Sequence, residues 1–209
     1  MSLFFDYFAY EGRKKLVISV LIALIVVVFA KSWFLKAFFI SVFLFFLYIY
    51  YIPKNRVELL EKDAIFSPVD GQVTDIFEKD GKRVIEIYKN LEHGSVIKSP
   101  MSGIVEDIYF RHGAFLDLTS RKSHNFNERF TFVIKDDKKM IKVVSLAGKL
   151  GFFGHSFYKP KNNRCDFSEI LGFCTEALFN IELPEEAVLN VKKGENLVAG
   201  ISVLAYLKG

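Results

Sequence analysis

Two long apolar runs fill the first quarter of the chain. LVISVLIALIVVVFA (Leu16 to Ala30) and FLKAFFISVFLFFLYIYYI (Phe34 to Ile52) are separated only by Lys31, Ser32 and Trp33. A helix needs ~20 apolar residues to cross a bilayer, so the second run is close to spanning length. The first is shorter and can cross if lipid thins or its flanking side chains snorkel. The pattern predicts a tight transmembrane helical hairpin, with helices over about residues 16–30 and 34–52, making residues 1–55 a membrane anchor. Arg13, Lys14 and Lys15 precede the first run, and Lys54, Arg56 and Lys62 follow the second. Positive charge on both outer flanks predicts an inner-membrane protein with its remaining domain facing the cytoplasm. Trp33, Tyr48, Tyr50 and Tyr51 suit the two interfaces. A cleaved signal peptide is the alternative for residues 16–30, since a basic start, an apolar stretch and Val-Phe-Ala before Lys31 have that form.

From about Arg56 the pattern changes to short alternations. QVTDIFE, KRVIEIY, GIVEDIYF, RFTFVIKD, MIKVVSL, ALFNIEL, AVLNV and ISVLAYL each place apolar residues at every second position, the signature of half-buried strands. Asp80-Gly81, Asp136-Asp137 and Lys193-Gly194 read as tight turns between them. Val57 to Asp63 is the only segment here that reads as a helix, leaving the membrane. Residues 56–209 are therefore predicted to form one mainly β domain, a pseudo-symmetric barrel or sandwich. The symmetry is suggested by SPVDGQVTDIF (Ser67 to Phe77) and SPMSGIVEDIY (Ser99 to Tyr109), which repeat a Pro-to-Gly turn followed by a strand. GKLGFFGHSFYKP (Gly148 to Pro160) is rich in glycine and aromatics and is expected to be a lid or membrane-dipping loop.

Composition narrows the function classes. The chain is 51% apolar and 16% aromatic, too apolar for an ordinary soluble domain of 209 residues. Its net charge of +4 is scattered, with no basic stripe interleaved with aromatics, which argues against nucleic acid and for anionic lipid. Cys165 and Cys174 have no paired spacing, so free thiols are expected. His93, His112, His124 and His155 lie apart without metal-ligand spacing and read as surface residues; no metal is expected.

The order of the motifs is specific. Ser67-Pro-Val-Asp70-Gly71, Ser99-Pro-Met-Ser-Gly103, Gly113-Ala-Phe115, Asn127-Glu128-Arg129 and the closing stretch from Glu182 to Ala205 follow the apolar hairpin. Together they resemble the short, membrane-associated form of phosphatidylserine decarboxylase, over nearly the whole chain. The resemblance implies an enzyme that makes its own cofactor. A serine in a Gly-Ser step, activated by an Asp-His pair, attacks the preceding carbonyl, and elimination leaves a pyruvoyl group that forms an imine with the substrate amine.

Carried over residue by residue, the match is uneven. Asp70 holds the aspartate position. The histidine position falls on Ser95, with His93 two residues early, and the Gly-Ser step falls on Glu176-Ala177. Alanine has no hydroxyl, so the favoured reading is a phospholipid-binding homologue that has lost self-cleavage and carries no cofactor. Cys174 and Thr175 are the substitute nucleophiles through which a pyruvoyl-dependent decarboxylase would survive. Arg129, Lys98 and Arg111, with Arg121 and Lys122 nearby in sequence, are the residues expected to meet a lipid phosphate in a cleft. The expected partner is membrane phospholipid, with self-association left open. A second class of reading is a biotinyl- or lipoyl-like barrel of a membrane-fusion adaptor. It lacks both a lysine in the Met101-Ser102 turn and a heptad-patterned helical arm.

Overall fold

The structure, a computed structural model, describes residues 7–52, 63–136 and 139–207. The chain divides into two compact units, residues 1–55 and 56–209.

The first unit is a helical hairpin of α1 (Tyr10–Phe29) and α2 (Trp33–Tyr50). Its open end is tied by Ala9 N–H donating to Tyr50 C=O (2.9 Å) and Ile52 N–H to Tyr7 C=O (2.8 Å). The buried positions of α1 are Gly12, Leu16, Ser19 and Ala23, a mostly small stripe that lets the helices approach closely. α1 starts at Tyr10 rather than near Leu16, because Glu11 and the basic trio are good helix formers and continue the apolar helix outward. α2 alone, among the described residues, is long and apolar enough to cross a membrane. Lys54, Arg56, Lys62 and most of the predicted Val57-to-Asp63 helix lie outside the described residues.

The second unit is built from β1 (Ala64–Phe66), β2 (Gly71–Lys79), β3 (Lys82–Lys89), β4 (Val96–Lys98), β5 (Gly103–Arg111), β6 (Arg129–Asp136), β7 (Lys139–Ala147), β8 (His155–Phe157), β9 (Arg164–Cys165), β10 (Ile170–Cys174), β11 (Ala177–Leu183), β12 (Ala187–Leu189), β13 (Asn196–Leu197) and β14 (Val203–Leu207). Eight strands in the order β13-β2-β3-β11-β7-β6-β5-β9 curl into a half-barrel, with two three-stranded sheets, β1-β14-β12 and β4-β10-β8. The alternations place their apolar sets inward: Phe130, Phe132 and Ile134 from β6, and Phe179, Ile181 and Leu183 from β11, are wholly buried. Asp80 (φ 52°) and Gly81 (φ 72°) form the β2–β3 turn, as a two-residue hairpin loop with positive φ requires. Asp137 lies outside the described residues. The short helix α3 (Ser123–Phe126) and the 3₁₀ turn Lys149–Phe153 have no signal in the alternation. The latter replaces part of the expected loop, which continues into β8.

The repeated motif is a true structural repeat. Ser67 Oγ donates to Val69 C=O (2.7 Å), and Ser99 Oγ to Met101 C=O (2.6 Å). The turns brace each other: Phe66 N–H donates to Pro100 C=O (3.0 Å), and Lys98 N–H to Pro68 C=O (2.7 Å). A Cβ on Gly71 would stand 2.6 Å from Tyr88 O, and one on Gly103 2.7 Å from Lys135 O, so both turns need a residue without a side chain. Each following strand then bulges at the same offset, between Val73 and Asp75 and between Val105 and Asp107.

Candidate functional site

The repeat places different chemistry at matching points. In the first turn Ala199 N–H donates to Asp70 Oδ1 (2.6 Å); in the second Phe167 N–H donates to Ser102 Oγ (3.0 Å). Asp70 also accepts Gly94 N–H on Oδ2 (3.0 Å), and its carboxylate packs so closely on Gly94 that a side chain there would collide with it. Backbone donors thus hold the Asp70 carboxyl group in one orientation.

Two buried lysines surround this carboxylate. Lys89, at the end of β3, is wholly buried and donates only to Asn90 C=O and Thr175 C=O, both at 3.3 Å. Burial pushes its pKa down against the attraction of Cys174, Asp70 and Glu176. Lys98, on β4, donates to Ala199 C=O (3.1 Å), and burial lowers its pKa against the pull of Asp70. Lys89 was legible: Ile85, Ile87 and Lys89 share one face of a strand.

Among the described residues the hydrogen bonds to Asp70 come from backbone N–H groups, not from an imidazole, although His93 feels the Asp70 charge. His93 Nδ1 accepts Asn90 N–H (3.3 Å), and burial, then Lys89, lowers its pKa against Asp70 and Glu92. Ser95 is buried, and its carbonyl accepts Cys174 N–H (2.8 Å).

The segment aligned with the Gly-Ser step runs from β10 into β11. Ala177 is wholly buried and pairs in register with Lys89 and Ala147. The preceding carbonyl, Glu176 C=O, accepts Gly148 N–H (2.9 Å). The Glu176 carboxylate accepts Tyr88 O–H (3.0 Å) and Leu150 N–H (2.6 Å), and burial together with that carboxylate pushes the Tyr88 pKa up to about 12. Cys174 is wholly buried, and burial pushes its thiol up to about 12 despite the attraction of Lys89. It is a protonated core thiol at neutral pH. Thr175 is equally buried and commits its hydroxyl to Leu150 C=O (2.6 Å). The position aligned with the cleavage serine therefore offers a methyl group, so the residues present do not fit formation of a pyruvoyl group there.

Lys98 has Asp70 as its charged neighbour, whereas Arg129 and Arg111 neighbour each other. They face each other across β5 and β6, at the far end of a row that reads Tyr88, Leu178, Leu146, Arg129, Arg111 across the sheet. Four strand spacings separate Tyr88 from Arg111, about 19 Å along the sheet. The guanidiniums donate to carbonyls at the end of α3: Arg129 to His124 C=O (2.8 Å), Arg111 to Asn127 C=O (3.1 Å). Burial, then repulsion by Arg111, lowers the Arg129 pKa. Both Nε–H groups are buried without a hydrogen-bond partner.

The chain is 33% identical over 161 residues to the phosphatidylserine decarboxylase proenzyme of Carboxydothermus hydrogenoformans, covering 71% of this chain and 74% of that one. It belongs to the phosphatidylserine decarboxylase family. The proenzyme of Ehrlichia canis is 29% identical over 155 residues, covering 69% and 68% of the two chains, and that of Ehrlichia chaffeensis is 29% identical over 166 residues, covering 70% and 69%. No family profile matches the chain, and no solved structure does.

One histidine differs from its surface assignment. His155 is buried: Nε2 and Ser145 Oγ are 2.8 Å apart, Nδ1 and Glu128 Oε1 3.2 Å, and the ring packs on Phe130 at 4.5 Å. Burial lowers its pKa against the pull of Glu128. The ring goes inward because β8 pairs His155 with Cys174, on a strand too short to show alternation.

Proposed function

We propose that this chain is a membrane-held member of the phosphatidylserine decarboxylase family that has kept the fold and phospholipid binding but does not cleave itself. The observation that carries this reading is the Glu176-Ala177 step, where a methyl group stands in place of an attacking hydroxyl. Ser95 at the histidine position removes the activating base, and the buried states of Cys174 and Thr175 argue against a substitute nucleophile. The apolar α2 and the basic N-terminal flank support an inner-membrane protein whose β unit faces the cytoplasm. Within the β unit, Arg111 and Arg129 are the groups assigned to a lipid phosphate, since each has a guanidinium Nε–H without a partner.

The test has two parts. Intact mass of the purified chain is expected at the unprocessed 24.0 kDa. A ketoacyl-blocked C-terminal fragment beginning between Phe173 and Leu178 would overturn the loss of self-cleavage and revive the decarboxylase reading. Native mass spectrometry is expected to show phosphatidylserine retained by the wild type and lost from an Arg111→Gln/Arg129→Gln double variant. Equal retention by both would remove the two arginines from the site.

A further inference from the structure

We infer that the end of the β unit carrying Phe126 and Phe152 is a docking face for an anionic phospholipid surface. Phe126 closes α3 and is 60% exposed; Phe152 lies in the Lys149–Phe153 turn and is 56% exposed. The segments bearing them are neighbours and are held by buried polar contacts. Asn127, next to Phe126, is wholly buried; its amide donates to Ala147 C=O (2.7 Å) and Leu116 C=O (2.8 Å), and its oxygen accepts Leu116 N–H (2.9 Å). Phe115 packs against Gly151, in the turn that carries Phe152. Two exposed aromatic rings are thus carried on neighbouring segments at one end of the sheet, where exposed apolar groups mark a contact surface.

Charge selects the occupant. Six lysines elsewhere on the β unit, Lys135, Lys139, Lys142, Lys159, Lys161 and Lys193, each have a carboxylate within 4.0 Å. Around the two phenylalanines, Arg111, Arg121, Lys122 and Arg129 form no such pair among the described residues. The acids of this stretch are engaged otherwise: Asp117 binds Thr119 and attracts Lys149, and Glu128 lies between His155 and His112. Unpaired cations surrounding exposed rings match the interface of an anionic bilayer, where rings sink below the head groups and cations meet phosphate. A second copy of this chain would bring the same cations against these. The inference rests on the proposed phospholipid binding, because Arg111 and Arg129 belong to both; nitroxide labels test the face, and headgroup retention in native mass spectrometry tests the site.

The experiment uses the full chain in nanodiscs with a nitroxide label at Phe126→Cys, Phe152→Cys or, as a control on the exposed distal end of β2, Lys79→Cys. Both native cysteines are wholly buried, so labelling is directed to the introduced site. Collisions with oxygen report lipid, and collisions with a nickel chelate report water. With about 30% phosphatidylglycerol in phosphatidylcholine, the labels at 126 and 152 are expected to gain oxygen and lose nickel collisions, while the label at 79 stays in water. About 1 M salt, or Arg121→Gln with Lys122→Gln, should reverse much of the change. Labels at 126 and 152 as wet as the label at 79 in these nanodiscs would overturn the inference. So would protection that follows protein concentration in detergent, which would assign the face to a second copy.

Discussion

Lys89 is the residue whose physical cost is plainest. A wholly buried amine held by two long carbonyl contacts favours its neutral form. Lys89→Met keeps the length of the side chain and is expected to raise stability at neutral pH by about 1–3 kcal/mol, read from denaturant unfolding of the detergent-solubilised chain. Its folded-state pKa lies below the ordinary lysine value, so the unfolded chain binds more protons between the two. Wild-type stability should then rise as pH climbs toward the unfolded value of about 10.5, and Lys89→Met should flatten that rise. His155 acts the same way at lower pH, with Glu128 on one ring nitrogen and Ser145 on the other. Its folded pKa is depressed below 6.5, so stability present above that value is lost as pH falls toward the folded pKa. Thermal midpoints between pH 7 and pH 5 are expected to fall more for wild type than for His155→Gln, which has no proton to take up.

Among the elements, the paired turns carry the most constrained backbone. Gly71→Ala and Gly103→Ala would each drive a methyl group into a carbonyl oxygen of the next strand, Tyr88 O or Lys135 O. Each is expected to cost about 1–3 kcal/mol, and comparable losses in the thermal midpoint would reflect the repeat directly. A near-neutral Gly103→Ala beside a damaging Gly71→Ala would mean that the second turn yields where the first does not. The repeat also separates scaffold from chemistry. A backbone N–H meets a carboxylate in one turn, from Ala199, and a hydroxyl in the other, from Phe167, so a carboxylate is not needed to form such a turn.

At the scale of the whole molecule, the proposed loss of self-cleavage is open to direct test by rebuilding the site. Asp70 is still held by Gly94 and Ala199, and the Glu176 carbonyl still accepts Gly148 N–H, while Ser95, Glu176 and Ala177 break the match. Restoring all three, Ser95→His, Glu176→Gly and Ala177→Ser, is expected to yield two fragments on a denaturing gel. Ala177→Ser alone should stay intact, lacking both the base and the glycine that lets the chain bend toward its own carbonyl. Cleavage of the single variant would show that the hydroxyl was the one missing part.

Eight of the strands, the hairpin turn at Asp80-Gly81, the helix pair and the paired Ser-Pro turns were legible in the sequence, because alternation, apolar run length and turn chemistry are local properties, while β1, β4, β8, β9, β10 and β13 were not. Family membership was legible too, since it resides in the order of short motifs. The inward turn of His155, the pairing of Arg111 with Arg129 and the exposed rings of Phe126 and Phe152 were not. Each depends on which strands lie side by side, and β8 and β10 are too short to show a period. Local pattern decided what each segment becomes; only the closing of the sheet decided which side chains meet, because strands remote in sequence become neighbours through backbone hydrogen bonds that carry no side-chain signature.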